Sequence, residues 1–178
     1  YVHRLRSQTD AIMVGINTVF GDDPQLTARN EQGTPGKRQP LRVLVDSQGR
    51  LPLNSRLLTQ PGQTLVAVAN DNSATHRRLT QAGVEVAHVP SEDGRVDLFE
   101  LLRILGRREV ISVLVEGGSI LHGELFDRNL VDKVVAFISP MIVGGAKAYS
   151  PVAGIGIETI SAANRLHSVH LEHFGTDI

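Results

Sequence analysis

The chain has no cysteine and no tryptophan, and its phenylalanines and tyrosines make up only 4% of 178 residues. Without thiols there is no disulfide and no thiolate metal site, which fits a reducing cytoplasm as the expected compartment. With so few aromatics, a ligand base must rest on aliphatic walls. An excess of one charge is missing too, since Lys and Arg total 18 against 19 for Asp and Glu. No basic face is implied, so nucleic acid is not an expected partner. No apolar run approaches the roughly 18–20 residues that a membrane span requires, and no secretory signal opens the chain. Neither an H-E-x-x-H nor a G-x-S-x-G motif occurs, so zinc-peptidase and serine-elbow hydrolase chemistry are not expected. His167, His170 and His173 recur every three residues, but on an extended run His170 faces away from the other two. No metal site is expected.

The length suits one domain over residues 1–178, with a core large enough to need neither disulfide nor metal. Tyr1 runs straight into V-H-R-L-R-S, the pattern of a helix interior, and the chain stops at H-F-G-T-D-I as an extended pattern turns. An element is expected to be missing at each end.

Along the chain, Val2–Thr9 reads as the tail of a helix carrying Arg4 and Arg6. Ala11–Gly15 is a short apolar strand, followed by a helical turn that breaks at Gly21-Asp22-Asp23-Pro24. Leu26–Arg29 reads as extended, and Asn30–Pro40 as a Gly/Pro-rich surface loop. Strands are expected at Leu41–Asp46, Thr64–Ala69, Glu85–Val89, Val131–Ile138 and Arg165–Phe174. Helices are expected at Ser73–Ala82, closed by Gly83, and at Asp97–Arg107, with Leu98, Leu101, Leu102 and Leu105 inward. Strands alternating with helices at this spacing predict a three-layer α/β arrangement with a mainly parallel sheet.

The stretch Ile111–Asn129 is the most informative. Val113, Leu114 and Val115 suit a strand covered on both faces, and Glu116 follows at its end. Gly117 and Gly118 carry no Cβ where the chain reverses, and a helix begins near Ser119. A helix start suits an anion, although the same residues also suit an ordinary strand–turn–helix connection. Ligands in such sheets sit outside the carboxyl ends of strands. That rule selects Gly15–Arg29, Asp46–Ser47, Glu116–Glu124 and Pro140–Ala146. Arg6 and Arg29 could clamp a phosphate, since guanidinium forks match its geometry. Glu116 needs a partner, because an unpaired buried charge is costly.

The block R-L-R-S-Q-T-D-A-I-M-V-G-I-N-T-V-F-G-D-D-P-Q-L-T-A-R, with L-R-V-L-V-D-S and V-L-V-E-G-G-S-I-L-H-G-E-L, resembles the reductase domain of the bifunctional riboflavin-biosynthesis deaminase/reductases. The resemblance runs from about Val2 to Ile178 and implies a dihydrofolate-reductase-like fold. It also implies NADPH-dependent reduction of 5-amino-6-(5-phospho-D-ribosylamino)uracil at C1′ of the opened sugar. Matched to the family motifs, Thr18, Asp22, Ser47, Gly118, Ser119, Ile120, Leu121, His122, Gly123 and Glu124 are expected to contact the cofactor. Arg6, Leu26, Arg29 and Glu116 are expected to contact the substrate, and no catalytic acid is identified. Ser47 and Arg50, just past a strand end, are where a 2′-phosphate contact is expected. The family's deaminase half needs a zinc site with a P-C-x-x-C element, which this chain lacks, though fusion to such a domain fits the family. A homodimer or larger homo-oligomer is expected, with Val131–Ile138 at the contact. Three alternatives stay open: action on the still-aminated pyrimidine, action on a pterin or folate, or a non-catalytic role.

Overall fold

The computed structural model describes residues 1–145, 148 and 150–178. They form two compact units, Tyr1–Gly118 and Ser119–Ile178.

In the first unit the order is α1 (Val2–Gln8), β1 (Ala11–Gly15), α2 (Ile16–Asp22), β2 (Leu41–Val45), α3 (Arg56–Thr59), β3 (Thr64–Val68), α4 (Ser73–Gln81), β4 (Glu85–His88), α5 (Leu98–Arg107) and β5 (Val113–Val115). The five strands are all parallel, in the order β4-β3-β2-β1-β5. Parallel strands need crossovers, which the intervening helices supply. Their apolar runs follow from burial on both faces: every residue of β3 is buried, as are the first four of β1. Ile12, Val14, Leu44, Val66 and Val68 share one core cluster with Ile16 and Val19 of α2, Leu79 of α4, and Leu51 and Leu57. The alternate residues Met13, Val43 and Leu65 point to the opposite face and are equally inaccessible.

The helix ends are closed by their own sequence. The Asn72 side chain accepts the N–H groups of Ala74 and Thr75, and Asp97 accepts those of Phe99 and Glu100. Gly83, at φ +76°, ends α4 in the left-handed conformation that a Cβ disfavours.

At the amino end of the sheet, Asp10 joins two strand starts. Its carboxylate accepts the Ser112 hydroxyl at 2.8 Å, the Ser112 and Ile111 N–H groups at 3.1 and 3.2 Å, and Arg38 at 2.7 Å. The Ser112 hydroxyl above all, with those amides and Arg38, holds the Asp10 carboxyl below its ordinary range against a smaller opposing effect of burial. Arg42 is buried on β2 and donates to Thr64 Oγ1 and to the carbonyls of Gln60, Pro61 and Gly62. Burial lowers its pKa from the ordinary value.

One expectation changes in this unit. Leu26–Arg29 is not an extended strand: Leu26 sits at φ +51°, and Arg29 makes an isolated bridge to Pro35. The left-handed turn lets Leu26 reach the core, where it is 4% exposed.

The second unit opens with α6 (Ser119–Asp127) and contains a 3₁₀ turn at Ile160–Ala162, with no strand among its described residues. Val131–Ile138 is therefore irregular, and Ile138 exchanges backbone hydrogen bonds with Ile178 at 2.8 and 3.0 Å. An apolar run predicts burial, but a strand also needs a neighbour for its backbone, and Val134 and Val135 are 41% and 40% exposed. Arg165–Phe174 is irregular for the same reason, and His167, His170 and His173 lie exposed along it. Among the described residues, no three His, Asp or Glu side chains are grouped as metal ligands. No described helix is long and apolar enough to cross a membrane. Ala146, the last residue of the Pro140–Ala146 candidate, lies outside the described residues.

Candidate active site

Strand order reverses at β1, which has β2 on one side and β5 on the other, while β2, β3 and β4 continue away from it. Open parallel sheets bind ligands at such a switch point, beyond the carboxyl ends of the strands. Register places Gly15 beside Val45 and Met13 beside Val115. The start of α2, Asp46–Ser47 and Glu116–Gly117 therefore emerge along one edge.

Glu116 is fixed there first by its backbone, whose N–H donates to the Met13 carbonyl at 3.0 Å. Its carboxylate is gripped by Arg6 of α1, with Nε to Oε1 at 2.7 Å and Nη2 to Oε2 at 2.5 Å. The side chains are only 15% and 21% exposed. Arg6 Nη1 also donates to the Thr27 carbonyl at 3.0 Å. Arg6 and Glu116, both expected as substrate contacts, are thus joined to each other. A largely buried carboxylate at a strand end demands a cation, and Arg6 meets that demand with a planar fork. Three of the five Arg6 donors are engaged in this way.

The loop after α2 is built around Thr27, which is fully buried. Its carbonyl accepts from His3 Nδ1 at 3.2 Å as well as from Arg6, and its Oγ1 accepts from Arg29 Nε at 2.9 Å. Thr27 thus positions both arginines, a role that sequence reading missed. The only signal was a hydroxyl residue inside the L-T-A-R stretch. Asp23, at φ +40°, accepts the Arg56 N–H at 2.8 Å and anchors the loop's other end. Gln39 clasps the loop by bonding both the N–H and the carbonyl of Ala28. Apart from Nε, the Arg29 guanidinium makes no hydrogen bond or ion pair among the described residues. Arg29 is thus a cation held through Nε by a loop that Gln39 and Asp23 tie down.

Of the expected cofactor residues in this unit, Thr18 has a hydroxyl with no hydrogen bond among the described residues. Its Oγ1 is 3.5 Å from where a Cβ on Gly117 would stand. Asp22 is exposed at the end of α2. Ser47 Oγ accepts the Val96 N–H at 3.2 Å, which leaves its own proton to donate. Gly117 and Gly118 are left-handed, at φ +82° and +88°, so the turn after β5 needs residues without a Cβ. Asn70, next to the Ser47 carbonyl, has a buried Oδ1 with no hydrogen-bond partner. Hydroxyl donors, a buried acceptor lacking its donor and a bare two-glycine backbone form a set that could hold a nicotinamide dinucleotide.

The other expected cofactor residues belong to the second unit. There Leu121 is buried, His122 Nδ1 donates to the Pro151 carbonyl at 3.0 Å, and Glu124 pairs with Arg128 at 2.7 Å. The Ser119 carbonyl accepts the Ala153 N–H at 3.0 Å, while Ile120 is 59% exposed. Gly123 packs so closely that a Cβ would lie 2.2 Å from the Ala153 oxygen. Its glycine is therefore explained by packing inside this unit.

Residues 1–178 match the family model described as the RibD C-terminal domain. The chain belongs to the RibD C-terminal domain family. It is 36% identical to the riboflavin biosynthesis protein RibD of Actinobacillus pleuropneumoniae, across 99% of this chain and 46% of that protein. It is 40% identical to the 2,5-diamino-6-ribosylamino-4(3H)-pyrimidinone 5′-phosphate reductase of Methanothermobacter thermautotrophicus, across 99% of this chain and 81% of the relative. A solved structure of Acinetobacter baumannii RibD superposes with a TM-score of 0.82 at 25% identity, covering 99% of this chain and 47% of that one. The chain thus spans about half the length of the RibD proteins it matches. The α/β, dihydrofolate-reductase-like fold class read from the sequence is the one the molecule adopts.

Proposed function

We propose that the chain is a reductase that converts 5-amino-6-(5-phospho-D-ribosylamino)uracil to its 5-phospho-D-ribitylamino product, with NADPH. The observation that carries this reading is the Arg6–Glu116 fork beside the Thr27–Arg29 loop at the strand-order reversal. A nicotinamide dinucleotide, when bound, would supply the hydride for C1′ of the opened sugar. Arg29, held by Thr27, donates its remaining N–H groups to the sugar phosphate. Each Glu116 oxygen accepts one bond from Arg6 and keeps a lone pair for a pyrimidine N–H. Leu26 closes the apolar side of the substrate. Thr18, Asp22, Ser47 and Gly118 hold the cofactor, while the assignment of Ser119–Glu124 to it rests on the resemblance alone. Holding both ligands in register is the main catalytic contribution of these residues.

A second reading, reduction of the still-aminated pyrimidine, is favoured by the Methanothermobacter relative, whose name carries that substrate. Turnover of the two pyrimidines under identical conditions, with NADPH, decides between them. Faster turnover of the uracil supports the first reading, and turnover of the diamino compound alone supports the second. Turnover of neither overturns both. Self-association belongs to the same proposal, supported by the exposure of Val134 and Val135. Sedimentation equilibrium tests it, and a monomer at all concentrations would contradict it.

A further inference from the structure

Helix α6 carries a segment of chain along one of its faces. Ser119, Gly123 and Asp127 recur every four residues, so they line a single stripe from the first turn of α6 to its last. Residues 151–156 run along that stripe as a strap. His122 Nδ1 donates to the Pro151 carbonyl at 3.0 Å, and the Ala153 N–H donates to the Ser119 carbonyl at 3.0 Å. Gly154 then meets Gly123 backbone to backbone, since a Cβ on Gly154 would stand 3.0 Å from the Gly123 Cα. At the far end Asp127 accepts the Ile155 N–H at 2.7 Å through Oδ2 and the Gly156 N–H at 3.2 Å through Oδ1. Gly154 and Gly156 flank Ile155 at φ +100° and +73°, a backbone shape that lets two successive N–H groups converge on one anion. The strap is exposed throughout. Burial therefore contributes little to holding it, and its order depends on these hydrogen bonds. Asp127 supplies two of the four.

We propose that this strap fixes the opening turns of α6 for the dinucleotide, and that Asp127 is the positioning residue that locks it. The proposal rests on the cofactor reading above and deepens it, since that reading gives Ser119–Glu124 to the cofactor. Asp127 itself touches no ligand. Its carboxylate holds the strap at the last turn of α6, and the strap holds the Ser119 carbonyl and the His122 ring at the first turns. Without the clasp the strap opens locally, and a ligand must then order it at a cost in affinity.

The test joins amide hydrogen exchange on the free protein with calorimetric titration of NADPH. It uses the wild type, Asp127→Asn, Asp127→Ala and Gly154→Ala, each checked for a cooperative thermal transition. Asp127→Ala should abolish exchange protection at Ile155 and Gly156 and reduce it across Ser119–Gly123. Its NADPH affinity should fall by about three- to tenfold, the loss expected for one or two hydrogen bonds. Asp127→Asn keeps one side-chain oxygen as an acceptor and should lie between the wild type and Asp127→Ala. Gly154→Ala brings a Cβ to 2.5 Å from Asp127 Oδ2 and should match Asp127→Ala. The two Asp127 substitutions decide the matter even where Gly154→Ala does not fold. In turnover the Michaelis constant for NADPH should rise while the rate at saturation stays the same. Unchanged exchange in Asp127→Ala, or lost protection with unchanged NADPH affinity, would overturn the proposal and leave the cofactor reading intact. Failure of the wild type to bind NADPH would overturn the cofactor reading, and this proposal with it.

Discussion

Arg6 and Glu116 stand 110 positions apart in sequence and form a two-pronged ion pair that ties α1 to the end of β5. The pair both closes the fold at the switch point and sets the direction of the carboxylate, so its loss should register in stability and in substrate binding. Arg6→Ala leaves a mostly buried carboxylate without its cation, a change expected to cost about 3 kcal/mol. A double-mutant cycle with Glu116→Gln, followed by urea denaturation, should return a coupling of roughly 1–3 kcal/mol. Additive single changes would show that the pair does not act as a unit.

Arg29 is positioned by one bond to Thr27 and is otherwise available to a ligand. Arg29→Ala should weaken binding of the phosphorylated pyrimidine by about ten- to a hundredfold. The dephosphorylated compound should bind both proteins equally. Equal losses for the two compounds would move the phosphate to another residue.

Thr27→Val keeps the shape but leaves Arg29 Nε without its acceptor. The carbonyl bonds to Arg6 and His3 remain, so stability should fall by about 1 kcal/mol while the Michaelis constant for substrate rises. A variant with altered stability and unchanged Michaelis constant would reduce Thr27 to a packing role.

Much of the first unit was legible because its signals are local. The apolar runs of β1, β2 and β3 and the Gly83 stop each follow from a few adjacent residues. The Glu116–Gly117–Gly118 corner was legible for the same reason, since a carboxylate and two glycines after a buried strand have few uses. What sequence reading missed is long-range. It placed Arg6 and Glu116 as two separate ligand contacts, because no periodicity reveals that residues from α1 and β5 meet. Thr27 and the Asp10–Ser112 clasp were hidden likewise, each depending on a partner distant in sequence. Val131–Ile138 failed in the opposite sense. Its apolar character is real, but hydrophobicity alone cannot state that a neighbouring strand is present.

Asp10 predicts a distinct acid dependence. Its carboxyl is held below the ordinary value of 3.8, chiefly by the Ser112 hydroxyl. A depressed folded pKa contributes stability that is fully present above the unfolded value and is lost as pH falls through the folded one. The stability difference between wild type and Asp10→Asn should therefore be constant near neutrality and shrink below pH 3.8. Denaturation curves across that range check this, and a difference that grows on acidification would contradict it.

Asp46 predicts the reverse. Burial raises its carboxyl above 3.8. The folded chain then binds the proton more tightly than the unfolded chain, and stability declines as pH climbs from 3.8 through the folded pKa. Asp46→Asn should escape that decline. A carbon-13 titration of the Asp46 carboxyl should show a midpoint above the ordinary value, and a midpoint below it would contradict the role of burial.

A nicotinamide dinucleotide is proposed to sit at the carboxyl edge of the β1–β5 reversal. Its most direct test is the NADPH affinity of Gly118→Val beside the wild type, measured by calorimetric titration on protein shown to melt cooperatively. Valine brings a Cβ to a backbone at φ +88° and fills the open strand end. Tight binding by the wild type and none by the folded variant is expected, whereas wild-type affinity in folded Gly118→Val would contradict a dinucleotide at this edge.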